Sequence, residues 1–256
     1  MKHATRRTEK VGGPGAARKS PASAGPADAR LIEDLVAANR ILANQGVLDG
    51  YGHVSARHDR DPKRYLMSRS LAPELVTAED IMEYDLDSNP VDPRGRAMYL
   101  ERFIHGEIYK TRPDVKVVVH NHSPSVIPFG VTTKPLQPLY HMSAFIGAGV
   151  PVFEIRDAGG MTDMLVRTPA LGRALARTLG TKSAALMRGH GAVVVGPDFP
   201  FTIGRSVYLE MNARLQVQAM VLGGKITYLH PEEARKASGT GYDRAWELWK
   251  RKAMAR

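Results

Sequence analysis

A run of β-branched residues that ends in two histidines constrains this chain more than any other stretch. Residues 115–122 read Val-Lys-Val-Val-Val-His-Asn-His. An apolar, β-branched run of this length predicts a buried strand. Side chains two residues apart point to the same side of an extended chain, so His120 and His122 are expected side by side where the strand emerges. Such a pair is a candidate site for a metal ion.

Two other motifs carry residues that could complete such a site. Downstream, a short apolar run ends in Arg-Gly-His-Gly, which contains His190. Upstream, a predicted helix over residues 100–111 contains Glu101 and His105, whose spacing of four places them on one helix face. Two histidines close in sequence plus a distant third are typical of a catalytic metal with three protein ligands and an open position. Alone, a His-x-His pair is more often a hydrogen-bonded strand end.

Composition excludes several kinds of chemistry and of partner. The 256 residues contain no cysteine, which excludes disulfides, cysteine zinc sites and thiol nucleophiles. No apolar run reaches the roughly 20 residues that span a bilayer, and the N-terminus lacks the apolar centre of a secretory signal. The net charge of +10 lies largely in the two termini and accompanies no nucleic-acid-binding motif. We therefore expect a soluble cytoplasmic protein with no nucleic-acid or membrane partner.

The chain divides into a tail and one domain. Residues 1–27 are basic, rich in Ala, Gly, Pro and Ser, and poor in large apolar residues, which predicts a disordered tail. From Asp28, a plausible helix N-cap, to residue 256, helical and strand-like segments alternate, and the early strands look like hairpins. This order predicts an α/β three-layer sandwich, with a mixed, mostly antiparallel sheet between helices.

The three motifs, in this order and at these separations, resemble the class II aldolase/adducin family over roughly residues 30–225. The resemblance implies a sheet of about nine strands and a homotetramer. It further implies one divalent metal per subunit, Zn²⁺, Mn²⁺ or Fe²⁺, bound by His120, His122 and His190, and it makes Glu101 the catalytic acid/base. Independently of this resemblance, three neutral imidazoles do not offset the charge of a bound cation, so that the cation can act as a strong Lewis acid.

The chain departs from the sugar-phosphate aldolases of that family where they bind phosphate. Their Gly-Asn-x-Ser segment is Gly-His-Val-Ser here, the loop after the second strand lacks its glycine, and no hydroxyl pair precedes Glu101. Arg69 can instead bind a carboxylate bidentately, and His53 can donate to a carboxylate or phenolate. The pattern resembles the family's metal-dependent decarboxylases of hydroxylated aromatic or pyridine carboxylates. The expected substrate-binding residues are His53, Ser68, Arg69, Ser70, Tyr140 and His141.

Three alternatives remain open at this stage. The protein could be an aldolase acting on an unphosphorylated hydroxy acid or aldehyde. It could be a non-catalytic scaffold like the adducin head domain, although the retained histidines and Glu101 argue against that. It could also be an iron oxygenase, because three imidazoles with open positions suit Fe²⁺ as well. The preferred interpretation is a metal-dependent carbon–carbon lyase that acts on a small carboxylate.

Overall fold

The computed structural model describes residues 20–239 and 241–255, and its centre is one sheet with strand order β3-β2-β1-β4-β7-β6-β5. The strands are β1 (His53–Arg57), β2 (Arg64–Ser68), β3 (Ile81–Asp85), β4 (Val117–Asn121), β5 (Val152–Phe153), β6 (Ala184–Met187) and β7 (Gly191–Gly196). Neighbouring strands are antiparallel except β5 and β6, which are parallel. The prediction of a mixed, mostly antiparallel sheet is confirmed.

The prediction of about nine strands is wrong, because the described residues form seven. After β3 the described chain folds back along this strand, but it pairs with it only at an isolated antiparallel bridge between Tyr84 and Pro90. A proline has no N–H to donate, so it does not extend a ladder of strand hydrogen bonds. At the opposite edge, β5 stops after two residues, since Glu154 caps the short helix that follows.

Helices cover both faces of the sheet, which confirms the three-layer sandwich. The helices are α1 (Ala29–Asn44), α2 (Phe103–Thr111), α3 (Ile127–Val131), α4 (Ile155–Gly159), α5 (Pro169–Leu179), α6 (Phe199–Leu222), α7 (Pro231–Ala237) and α8 (Asp243–Met254). Side chains of α1, α6 and α8 share one core with Val54, Val117 and Val119 of the sheet. Side chains of α2 and α5 share the other core with Tyr65, Val118 and Val193. Successive strand residues thus alternate between two buried faces, as a strand covered on both sides requires.

Side-chain caps set where the main helices begin. Asp28 accepts from the N–H of Arg30 at the start of α1, as the sequence predicts. Thr168 caps α5 in the same way, and Asp198 caps α6. Each cap satisfies a backbone N–H that has no partner inside the helix.

The predicted disordered tail over residues 1–27 falls mostly outside the described residues. Residues 20–27 are described, and part of this segment contacts the edge of the sheet. The hydroxyl of Ser23 donates to Glu83 at 2.6 Å, and Arg64 donates to the carbonyl of Ala22 at 2.9 Å. Residues 22–24 are thus bound to the sheet edge before α1 begins, because Arg64 and Glu83 offer partners to this segment. No helix in the described ranges is long and apolar enough to cross a membrane.

The central strands end together at one edge, where the candidate site lies. His53 opens β1 and pairs with His120, the penultimate residue of β4. On the other side of β4, the turn between β6 and β7 carries His190. Antiparallel pairing therefore brings the first residue of β1, the end of β4 and the β6–β7 turn to the same end of the sheet.

Candidate metal centre

The His-x-His motif lies where β4 leaves the sheet. His120 is fully buried on the α2 side, because it follows Val118 by two residues on the same face. Its Nδ1 lies 3.2 Å from the carbonyl oxygen of Ala192. His122 follows the strand and is partly exposed, with Nδ1 3.0 Å from Oδ2 of Asp49.

The turn that carries His190 depends on its two glycines. Gly189 has φ +61, a left-handed conformation that favours glycine. At Gly191 a Cβ atom would clash with the carbonyl oxygen of Asn121 on β4. These two positions let the turn pass close to the end of β4, and Nδ1 of His190 then lies 3.1 Å from the carbonyl oxygen of Met164.

Glu101 approaches the histidines from a 3₁₀ turn, Leu100–Arg102, that precedes α2. Its backbone is not α-helical (φ −90, ψ 15), so the expectation that Glu101 and His105 share one face of a regular helix is wrong. Oε1 of Glu101 accepts from the N–H of Val166 at 2.8 Å. Oε2 lies 3.4 Å from Nε2 of both His120 and His190.

The four side chains converge on one point. One potential ligand atom from each of Glu101, His120, His122 and His190 lies within 4.8 Å of all the others. The Nε2 atoms of His122 and His190 are 3.1 Å apart. The sequence predicts this same group of four, and the structure brings all of them together from three separate segments.

The hydrogen bonds of the three rings suit a bound cation. Each Nδ1 faces an oxygen that can only accept, so each Nδ1 carries the hydrogen and each Nε2 keeps a lone pair. Two lone pairs 3.1 Å apart repel unless a cation or a proton lies between them. Nε2 of His120 is buried and has no hydrogen-bond partner among the described residues. Three imidazoles with a carboxylate beside them form a donor set that accepts Zn²⁺, Mn²⁺ or Fe²⁺.

The site's charges are coupled to one another. Burial alone raises the pKa of Glu101, but the imidazoles of His120 and His190 outweigh it and hold that pKa far below its usual value. Burial lowers the pKa of His120 and His53, which favours neutral rings. For His190, burial lowers the pKa, yet the adjacent carboxylate of Glu101 raises it overall. Glu101 is thus ionised at neutral pH.

Of the predicted substrate-binding residues, His53 lies nearest the centre, with its ring centroid 5.1 Å from that of His120. Ser68 is linked to His53 through Tyr99. Its hydroxyl lies 3.3 Å from the Tyr99 hydroxyl, and the centroid of the Tyr99 ring lies 4.5 Å from that of His53. Arg69 follows Ser68 and pairs through Nε with Asp80 at 2.6 Å. Ser70 is exposed and donates its backbone N–H to another loop.

Tyr140 and His141 are not brought to the centre within one chain. Their rings contact each other, and Tyr140 also lies against Tyr208 of α6. Neither residue shares a hydrogen bond, ion pair or ring contact with the four-residue cluster in the described part of the chain. They lie in a 3₁₀ segment and its N-cap, which pack on α6 and α7 rather than on the sheet end.

Several residues of the site carry no motif and were missed at the level of sequence. Asp49 orients His122, and the backbone of Met164 and Val166 orients His190 and Glu101. Tyr99 contacts the ring of His53. The only sequence signal among them is Asp49-Gly-Tyr-Gly, a turn whose aspartate caps its own backbone amides.

Sequence comparison shows which known proteins this chain is similar to. The family model described as "Class II Aldolase and Adducin N-terminal domain" matches residues 33–217. The chain is 35% identical over 246 residues to the decarboxylase tropJ of Talaromyces stipitatus, covering 86% of this chain and 92% of that protein. It is 27% identical over 209 residues to the 3,4-dihydroxyphthalate decarboxylase of Arthrobacter keyseri, covering 76% and 80%.

Solved structures share the fold. The chain is similar to an L-fuculose 1-phosphate aldolase from Glaciozyma antarctica, with TM-score 0.70, 23% identity and coverage of 88% and 86%. It is also similar to an aldolase II superfamily protein from Pseudomonas syringae, with TM-score 0.74, 24% identity and coverage of 88% and 92%. At these identities the likeness concerns the fold and not the substrate.

Proposed function

Because this chain belongs to the class II aldolase and adducin N-terminal domain family, we propose that it is a divalent-metal-dependent decarboxylase of a hydroxylated aromatic or heteroaromatic carboxylic acid. Decarboxylases and aldolases both break carbon–carbon bonds, so the relatives support a lyase whichever substrate it takes. The observation that carries the proposal is the convergence of three Nε2 atoms and the Glu101 carboxylate on one point.

His120, His122 and His190 would hold the cation. Bound there, it would act as a Lewis acid that stabilises the charge left on the substrate when a carbon–carbon bond breaks. Glu101, ionised at rest, takes the proton of a substrate hydroxyl. The bond between ring carbon and carboxylate then breaks, its electron pair stays on the ring carbon, and CO₂ leaves. Glu101 returns its proton to that carbon, and water reprotonates the product's phenolate oxygen, so one proton is consumed for each CO₂ released.

The choice of an acidic substrate rests on the residues around the centre. Asp80 occupies Nε of Arg69, which leaves the terminal nitrogens of the guanidinium for a carboxylate. A phosphate cradle requires several backbone N–H groups around a glycine loop, and the segment Ser68-Arg69-Ser70-Leu71 contains no glycine. We also propose a homotetramer, which light scattering of the purified protein tests directly.

Metal analysis and product analysis test this function together. The wild-type protein should hold about one divalent metal per chain and release CO₂ from dihydroxyphthalate-type acids. His122→Ala should lose both metal and activity, whereas His230→Ala, a change at the N-cap of α7, should lose neither. Aldol cleavage without CO₂ release, or wild-type metal content in His122→Ala, would contradict the proposal.

A further inference from the structure

A chain of four buried polar side chains leads from the interior to the metal centre. Nδ1 of His53 lies 2.7 Å from Nε2 of His105. Nδ1 of His105 lies 2.6 Å from the hydroxyl of Ser55, which lies 2.9 Å from the hydroxyl of Tyr109. All four residues are almost completely buried on the α2 side of the sheet. We call this group the Tyr109–His53 chain.

Each of its three gaps needs one hydrogen, and two arrangements also place the Ser55 hydrogen within a gap. If Ser55 accepted from both of its neighbours, its own hydrogen would have no acceptor among the described residues. In the first, Tyr109 donates to Ser55, Ser55 to His105, and Nε2–H of His105 to Nδ1 of His53. His53 then carries its own hydrogen on Nε2. In the second arrangement every donor is reversed, and Nε2 of His53 is a lone pair. Between these two arrangements, the direction of the hydrogen bond at Tyr109 decides whether Nε2 of His53 offers a donor or an acceptor.

The surroundings of Tyr109 favour the first arrangement. In the reversed one, Tyr109 would donate to the carbonyl oxygen of Lys116, which is 3.3 Å away and already accepts from the N–H of Arg57 at 2.7 Å. The Ser55 hydroxyl is nearer and can accept. Burial raises the pKa of Tyr109, so that the phenol keeps its hydrogen. Burial lowers the pKa of His105 to about 3, so that this ring stays neutral with a single N–H.

We propose that Tyr109, Ser55 and His105 fix His53 as the Nε2–H tautomer, and that this N–H donates to an acidic oxygen of the substrate beside His120. His53 and His120 are cross-strand partners, and Nε2 is the one ring nitrogen of His53 that has no hydrogen-bond partner among the described residues. The first half of the proposal concerns the protein alone. The second half rests on the proposed function.

The arrangement makes an electrostatic distinction between ligands. A neutral N–H donor stabilises a carboxylate or phenolate oxygen without competing for the cation, whereas a lone pair at the same place would repel that oxygen. His105, Ser55 and Tyr109 are positioning residues, because none of them reaches the centre itself. The nearest of them, His105, acts only through the ring of His53.

The tautomer is measured by ¹⁵N spectroscopy of protein labelled at its histidine rings and loaded with diamagnetic Zn²⁺. The His53 signals are assigned by their loss in His53→Gln. In the wild type we expect the hydrogen on Nε2. Tyr109→Phe and Ser55→Ala interrupt the Tyr109–His53 chain at different hydrogen bonds. Each should shift the ratio of the two His53 tautomers by roughly tenfold, which corresponds to the free energy of one hydrogen bond.

Tyr65→Phe is the matched control. It also removes a hydroxyl that is fully buried on the same face of the sheet. This hydroxyl bonds to Ser88 and does not belong to the Tyr109–His53 chain. It should leave the His53 signals unchanged. A wild-type His53 with its hydrogen on Nδ1, or a tautomer ratio that neither Tyr109→Phe nor Ser55→Ala alters, would overturn the first half of the proposal.

Steady-state kinetics and inhibitor binding test the second half. Tyr109→Phe should raise KM for the acid, and Kd for a non-reacting carboxylate analogue, by roughly tenfold, with Zn²⁺ content unchanged and kcat reduced less. A shifted tautomer with unaltered KM and Kd would refute donation to the substrate. If the wild type released no CO₂ but gave the expected ¹⁵N signals, the proposed function would fail while the tautomer assignment stood.

Discussion

Asp49→Asn is a small change that should disable the metal centre through a tautomer. Oδ1 of Asp49 accepts from the backbone N–H groups of Tyr51 at 2.8 Å and Gly52 at 3.1 Å. Oδ2 lies 3.0 Å from Nδ1 of His122, nearer than Oδ1 at 3.2 Å. In the asparagine variant the amide oxygen remains on the two backbone N–H groups, because turning the amide over would set its NH₂ against them. The NH₂ group then faces Nδ1 of His122 and donates to it.

That contact moves the hydrogen of His122 to Nε2, the atom that points into the cluster. A nitrogen that carries a hydrogen cannot bind a metal. To bind, His122 must give up the contact with this NH₂ group and keep only the longer one to the amide oxygen, whose place in the wild type, that of Oδ1, lies 3.2 Å from Nδ1. Removing such a hydrogen-bond partner of a metal-binding histidine typically costs 10- to 100-fold in metal affinity, and we expect about 100-fold for Asp49→Asn. In Asp49→Ala, water replaces the carboxylate as the acceptor, since this side chain is 48% exposed. The alanine variant should therefore bind metal more tightly than the asparagine variant.

Competition with a chromophoric chelator measures Zn²⁺ affinity for the wild type and the two variants. Asp61→Asn is the control, because Asp61 accepts from the backbone N–H two residues ahead at 2.8 Å, as Asp49 does, but contacts no histidine among the described residues. It should leave the affinity unchanged. If Asp49→Asn bound Zn²⁺ as tightly as the wild type, or more tightly than Asp49→Ala, the tautomer argument would be wrong.

Three further substitutions separate catalysis, substrate binding and folding. Glu101→Gln should keep the metal but lower kcat by about 10²- to 10⁴-fold, because the amide cannot carry the proton; an unchanged kcat would remove Glu101 from that role. Arg69→Ala should raise KM for carboxylate substrates by about tenfold with little change in kcat, and an unaltered KM would place Arg69 outside the substrate site. Gly191→Ala should lower the free energy of unfolding by about 1–3 kcal/mol in urea titrations, because its methyl group meets the carbonyl of Asn121; Gly50→Ala, where a Cβ meets nothing, should not.

Periodicity and local motifs predict those parts of the site that depend on regular structure. The strand period of two places His120 and His122 at the end of β4, and both are found there. Gly189 and Gly191 mark a tight turn around His190, and both have a backbone reason to be glycine. Glu101 is different. Its spacing from His105 indicates one helix face, but a 3₁₀ turn rotates Glu101 toward the cluster and leaves His105 to bond His53.

Contacts made by the backbone of loops cannot be predicted from the sequence. The carbonyl of Met164 and the N–H of Val166 are available to His190 and Glu101 only because the loop after α4 folds against the β6–β7 turn. Every residue type has a carbonyl and almost every one an N–H, so residue identity does not reveal this use. The strand count fails for a related reason, since Pro90 turns a potential edge strand into a single bridge.

The three histidines of the candidate metal centre are therefore not equally sensitive to mutation of their hydrogen-bond partners. Two of them are oriented by backbone carbonyls, those of Ala192 for His120 and Met164 for His190. No side-chain substitution at the acceptor residue removes such a carbonyl while the fold persists. His122 alone depends on a side chain, and that side chain lies at the surface. A substitution of the exposed Asp49 can thus weaken metal binding without altering a ligand. A side-chain substitution at Ala192 or Met164 cannot do so, because the carbonyl that orients His120 or His190 remains.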